Sequence, residues 1–321
     1  MGGTTGSELV FYSFVHMDMS LVASKLAGGD ELPKKSSLNV GIITMSIETI
    51  AETLVPVDRR TPDADGREYV ESDVTIRPAK VLKFLVATSC VVVAMGTLAN
   101  VFIYQIASSP DEPLARVAKR FDLVNEPSLH QWYGCLIFSI SSALLAVIAI
   151  KQWTIRDVNR FHWAALAMIF LGLSIDDAVM IHEMAVNPVK NYLGTSGVLS
   201  IAWIIPGALF VVIVAAAYAG FLARLDRRTR WLMIFSGAIF VSGAIVMEMP
   251  GGVFYEQYRF STWHYITSYA IEELLELTGI SLFVFTLLDF IRRTFGGITF
   301  GFVHVEGGEL RTVPSGEPIR V

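Results

Sequence analysis

Six runs of near-continuous apolar residues succeed one another along the chain, at 84–105, 131–150, 162–184, 198–222, 231–248 and 268–291. Each is close to the ~20 residues that carry a helix across a bilayer core. The pattern predicts an all-α integral membrane protein, a six-transmembrane-helix bundle. Ahead of it, residues 1–80 are mostly polar, with amphipathic stretches over Leu9–Leu26 (Phe11, Phe14, Val15, Leu21) and over Ile42–Leu54. Glu48 and Glu52 argue against a seventh span, because unpaired carboxylates in hydrocarbon are costly. Residues 56–80 are rich in Pro, Asp and Arg without an apolar period and read as a linker. After the last run, Ile298, Phe300 and Phe302 alternate with small residues. Val303 to Val305 then lead through Glu306-Gly307-Gly308-Glu309 to Leu310–Val313, a β-hairpin pattern. A lone hairpin is marginal in water, so docking on the loops or the N-terminal segment is expected. The chain therefore divides into an extension and linker (1–80), a transmembrane domain (81–293) and a tail (294–321).

Composition narrows the class. Hydrophobic residues make up 53% and charged residues 17%, against roughly a quarter charged in a soluble domain, and the mean hydropathy is +0.53. A soluble enzyme and a secreted disulfide scaffold are excluded. The net charge of −5 offers no basic surface for phosphates, so the expected partner is the lipid bilayer and not nucleic acid. A membrane-protein partner would meet the N-terminal extension or the C-terminal hairpin. Cys90 and Cys135 fall inside apolar runs and read as small hydrophobes.

Basic residues set the orientation. Arg67, Arg77, Lys80 and Lys83 precede span one; Lys151, Arg156 and Arg160 follow span two; Arg224, Arg227, Arg228 and Arg230 follow span four; Arg292 and Arg293 follow span six. The opposite loops offer only Arg116, Lys119, Arg120, Lys190 and Arg259. The positive-inside rule then predicts both termini in the cytoplasm. No cleaved signal peptide is expected.

Ionisable side chains inside spans ordinarily face the bundle interior for a functional reason. Span three carries Asp176, Asp177, His182 and Glu183, span five ends at Glu248, and span six carries Glu272, Glu273 and Glu276. With the orientation above, all eight lie in the outer half of the bilayer. On continuous helices Asp176 and Glu183 share a stripe ~10 Å apart, and the three glutamates of span six share one face. Such acids cannot all remain ionised without compensating charge, which leaves protons, His182 or a bound cation. A carboxylate-rich set with one imidazole suits a hard or borderline divalent ion. It matches the Glu-x-x-His di-iron pattern only in part. Asp289, beside Arg292 and Arg293, reads as a surface ion pair. Pro206 and Gly207 read as a kink in span four, Ala238, Ser242 and Gly243 as close helix packing. Trp132, Tyr133, Trp163, Trp203, Trp231 and Trp263 read as interface anchors. His130 and His264, both on the outer side, could extend this cluster but read first as loop histidines.

Through Phe121-Asp122-Leu123-x-x-Glu126, the Ser174-x-Asp176-Asp177 to His182-Glu183 run, and Glu272-Glu273-x-x-Glu276-x-x-Gly279, the chain resembles a family of uncharacterised bacterial multipass inner-membrane proteins. The similarity covers about 120–293. The family's second acid in span three is usually Glu where this chain has Asp177. The resemblance implies a bacterial plasma membrane and a shared acidic site, and no reaction. Three functions stay open: a divalent-cation site serving a metal-dependent membrane enzyme, a proton- or cation-coupled transporter, and a non-catalytic subunit of a larger membrane complex.

Overall fold

The computed structural model describes residues 54–62, 68–109, 112–124, 127–199, 201–258, 262–296 and 298–305. The amphipathic stretch over Leu9–Leu26, all but the last residue of that over Ile42–Leu54, Glu126, and the second hairpin arm at Leu310–Val313 lie outside them. Six helices are long and apolar enough to cross a membrane, at Pro78–Ile106, Leu129–Thr154, Arg160–Val179, Ile204–Arg224, Arg227–Phe254 and Trp263–Phe295. The bilayer is thus the solvent for the middle of the chain.

The elements begin with strands β1 (Leu54–Pro62) and β2 (Glu68–Ile76), which pair antiparallel. They occupy the segment expected as a linker. Val70, Val74 and Ile76 alternate with polar residues, a period that the Asp and Arg content obscures. Strand β3 (Thr299–Val305) pairs with β2, so the sheet order is β1-β2-β3. The helices are α1 (Pro78–Val101), the short α2 (Pro113–Ala118), α3 (Leu129–Thr154), α4 (Arg160–Val179), α5 (Ile181–Leu193), α6 (Ile204–Arg224), α7 (Arg227–Val241), α8 (Glu248–Tyr258) and α9 (Trp263–Phe295). A π-helical turn, Ser242–Met247, joins α7 to α8 within span five.

Their limits follow local chemistry. Pro78 opens α1, where its missing N–H is not needed. Asp226 caps α7 by accepting from the Thr229 amide, and Gly296, at φ +86°, ends α9. Span four starts at Ile204, so Pro206 lies in the first turn, where it breaks no helical hydrogen bond. The expected mid-span kink is therefore replaced by an ordinary helix start.

Lipid tails are as apolar as leucine, so the bundle is held by close packing and internal polar contacts. Span six is its axis: 67% of its apolar window is buried, against 11% for span four. Span six packs on spans one, two and five, and span three packs mainly on span two. Spans three and six touch through aromatic pairs, Phe170 stacked on Phe283 at 4.4 Å and Trp163 on Phe290 at 4.9 Å. Trp163 is fully buried and Tyr133 is buried, its hydroxyl donating to the Leu85 carbonyl. Neither is an interface anchor, whereas Trp132, Trp231 and Trp263 are exposed as expected. Gly243 and Gly279 allow spans five and six to meet backbone to backbone. A Cβ on Gly279 would lie 2.6 Å from the Phe240 nitrogen, and one on Gly243 would lie 2.8 Å from the Glu272 carbonyl oxygen.

The Phe121-Asp122-Leu123 stretch docks on span one. Buried Asp122 accepts from the Tyr104 hydroxyl and the Val124 amide, and the Leu123 amide donates to Asn100.

Candidate functional site

Alternating helix directions bring four ends together: the start of α3, the end of α4, the end of span five, and the first half of α9. The eight acids and histidines singled out from the sequence fall at this end of the bundle, but they do not form one cluster. Among the described residues, no three His, Cys, Asp or Glu side chains converge on one metal-sized site.

The first group is built on α3. Ser128 precedes the helix in extended conformation, and its hydroxyl hydrogen-bonds His130 Nδ1. The other imidazole nitrogen, Nε2, lies 3.2 Å from Glu273 Oε1 on α9. His130 is 4% exposed, so a histidine read as a loop residue is a buried imidazole engaged at both nitrogens. One turn on, Gln131 donates to the Asp177 carbonyl, and the Cys135 thiol donates to Asp177 Oδ2 at 3.2 Å. Gly134 keeps this wall open, since a Cβ there would sit 3.1 Å from the same oxygen. Cys135 is thus a hydrogen-bond donor and not merely a small hydrophobe. Asp177 in turn lies within the electrostatic reach of Glu273, His130 and His182.

The second group depends on a break in span three. The sequence pattern runs apolar through 184, yet the helix ends at Val179 because Met180 takes the left-handed conformation (φ 55°, ψ 44°). That conformation is uncommon for a residue with a long side chain. Asp176 offsets the strain by holding the start of the next helix: Oδ1 accepts the His182 amide at 2.9 Å and Oδ2 faces His182 Nδ1 at 3.0 Å. The expected Asp176–Glu183 stripe does not exist, because the two lie on different helices, and Glu183 is exposed. The His182 ring sits 5.1 Å from Trp203, whose indole N–H donates to Glu248 Oε1 at 3.4 Å. Trp203 is therefore a spacer between two site residues and not an interface anchor.

The third group lies between spans five and six. Glu248 is 8% and Glu272 4% exposed, and their carboxyls are within hydrogen-bonding reach of each other. Glu276 lies beneath Gly243. Consecutive helix positions turn by 100°, so Glu272 faces span five while Glu273 faces span two. Of the three glutamates of span six, Glu272 and Glu276 face span five and Glu273 turns away to span two, so the shared face expected holds for two of them only.

The opposite end carries a different construction. Asp289 is fully buried and receives Arg228, Arg292 and Arg293, so it is not the surface pair expected. Arg228 comes from span five, a contact that neighbours in sequence do not announce. Arg293 also reaches Asp226 and the Thr229 hydroxyl. Burial pushes the Asp226 carboxyl up, but bonds from Thr229 and the Arg293 charge outweigh it and hold Asp226 below its ordinary range.

A family model described as a domain of unknown function (DUF8692) matches residues 84–290, more than half of the chain and all but the outermost parts of the bundle. No curated protein and no solved structure matches.

Proposed function

The chain belongs to the DUF8692 family, and from that premise we propose that it is a bacterial inner-membrane protein, both termini cytoplasmic, that takes up and releases protons at the outer end of its bundle in support of coupled transport. The loop charges support the orientation. The resemblance noted in the sequence supports the bacterial membrane.

The observation that carries the reading is the line Glu273–His130–Ser128. An imidazole accepts a proton on one nitrogen while giving one up from the other. Here Nε2 meets a carboxyl on span six, and Nδ1 meets a hydroxyl at the start of span two. A proton leaving Glu273 enters His130 at Nε2, and the Nδ1 proton passes to Ser128 and on to water. Asp177, between Cys135 and the His130–Glu273 pair, holds the other acidic position near this line. The set Asp176, Glu273, Glu276 and His182 does not fit a metal ion, because Glu273 turns to span two and Asp176 is occupied by His182. Those four therefore give the metal-enzyme reading no ligand set.

Purified protein in liposomes enclosing a pH-sensitive dye tests the proposal. An imposed pH gradient should relax faster than in empty liposomes when a permeant cation is offered. His130→Gln and Glu273→Gln should each abolish the difference, while Glu183→Gln should keep it. Wild-type liposomes no leakier to protons than empty ones, across the cations offered, would refute the reading.

A further inference from the structure

We propose that Ser268, Glu272 and Glu248 form a site for one hard divalent cation, of the Mg2+ or Ca2+ class, between spans five and six. Its role as the species coupled to proton movement rests on the reading above; its existence does not.

Two unsatisfied buried atoms, one of them on a residue that is not an acid, point to a ligand. Glu272 Oε2 and Ser268 Oγ are both buried and, among the described residues, neither has a hydrogen-bond partner. The two residues are each 4% exposed. They stand four apart on α9, hence on one stripe of that helix. Both face span five, Glu272 through Glu248 and Ser268 through Gly251, where a Cβ would lie 3.9 Å from its hydroxyl oxygen. Buried polar atoms are satisfied in nearly all proteins, and each exception asks for an ion, a water or a function. Adjacent orphans on one stripe, facing a carboxyl on the opposing helix, ask for a single bridging group.

The donors are all oxygen, which selects a hard cation over thiolate- or imidazole-preferring metals. The charge selects a dication. Residues 241–258 and 263–291 contain no Lys or Arg, so neither span brings a fixed countercharge to the two carboxylates in their low-dielectric setting. One proton shared by the pair leaves both orphan oxygens without a partner. A dication neutralises the pair and satisfies both, with water completing its shell. The Trp203 indole, donating to Glu248 Oε1, fixes one carboxyl and leaves its other oxygen for the ion.

The test needs no transported substrate. Full-length protein in mild detergent, stripped with a chelator and desalted, is titrated with Mg2+, Ca2+ and Mn2+, and separately with Na+, by calorimetry and by equilibrium dialysis. Wild type should bind one ion per chain. Glu272→Gln should weaken binding at least tenfold, and Ser268→Ala, which removes one neutral donor and keeps the helix intact, several-fold. Glu183→Gln, at an exposed position, should bind as wild type does. A wild-type chain that binds none of the three ions, one that binds Na+ in their place, or a Glu272→Gln chain that binds equally well overturns the proposal. Normal ion binding with no proton flux would instead refute the transport reading and leave this site standing.

Discussion

Gly279→Ala is the sharpest probe of how spans five and six meet. The added methyl carbon would sit 2.6 Å from the Phe240 nitrogen and 2.8 Å from its Cα and Cβ. All three atoms belong to the backbone or are fixed to it, so no rotamer change clears the clash. Ordinary contact, beginning near 3.4 Å, requires the helices to separate by most of an ångström. Overpacking of this kind costs about 1–3 kcal/mol. Replacing glycine by alanine in a helix returns up to ~1 kcal/mol of propensity, so the informative quantity is a difference. Gly172, in span three, is exposed, and a Cβ added there would meet nothing within 4 Å; it supplies the control. In detergent, denaturant or thermal midpoints should place Gly279→Ala below Gly172→Ala by about 1–3 kcal/mol. Adding Phe240→Ala should not rescue it, because Cβ remains. Equal stability of the two glycine variants, or rescue by Phe240→Ala, would refute the backbone-contact argument.

Asp289→Asn leaves three guanidiniums facing a neutral amide and should destabilise the protein by about 3 kcal/mol, read as a lowered unfolding midpoint that Glu183→Gln does not share. Asp226 sits below its ordinary value of 3.8 in the folded state, so its contribution is full above the unfolded value and fades as pH falls through the folded one. Asp226→Asn should therefore lower the midpoint near neutral pH and converge on wild type as the pH falls through the lowered folded-state value. Met180→Gly should be neutral or stabilising by up to ~1 kcal/mol, and Met180→Val destabilising, because only glycine adopts a positive φ freely; the reverse order in a melting series would remove the strain assigned to that residue.

Hydropathy alone located all six spans, because a run of apolar residues long enough to cross a bilayer needs no partner to be recognised. Span three shows where that signal ends. Nothing in Met180-Ile181 breaks the apolar pattern, and the turn arises from Asp176 capping a helix it does not belong to. His130 was legible as a histidine that could extend the acidic cluster but was read as a loop residue, because its partner, Glu273, lies far along the chain. Asp289 was read correctly as an arginine partner and wrongly as exposed, since Arg228 reaches it from another span. The acids of span six stood out by type and spacing, but spacing along one helix says nothing of which neighbours divide them: Glu273 meets His130 of span two and Glu272 meets Glu248 of span five.

That the most buried span is also the last has a consequence for synthesis. Spans one, two and five pack on span six, yet they are all synthesised before residue 263. Until Trp263–Phe295 enters the membrane, His130 has not met Glu273, Glu248 has not met Glu272, and Gly243 opposes lipid. The bundle is therefore completed after translation of its final helix, and a chain truncated before that helix lacks the partner for each of these contacts and is not a smaller version of the protein.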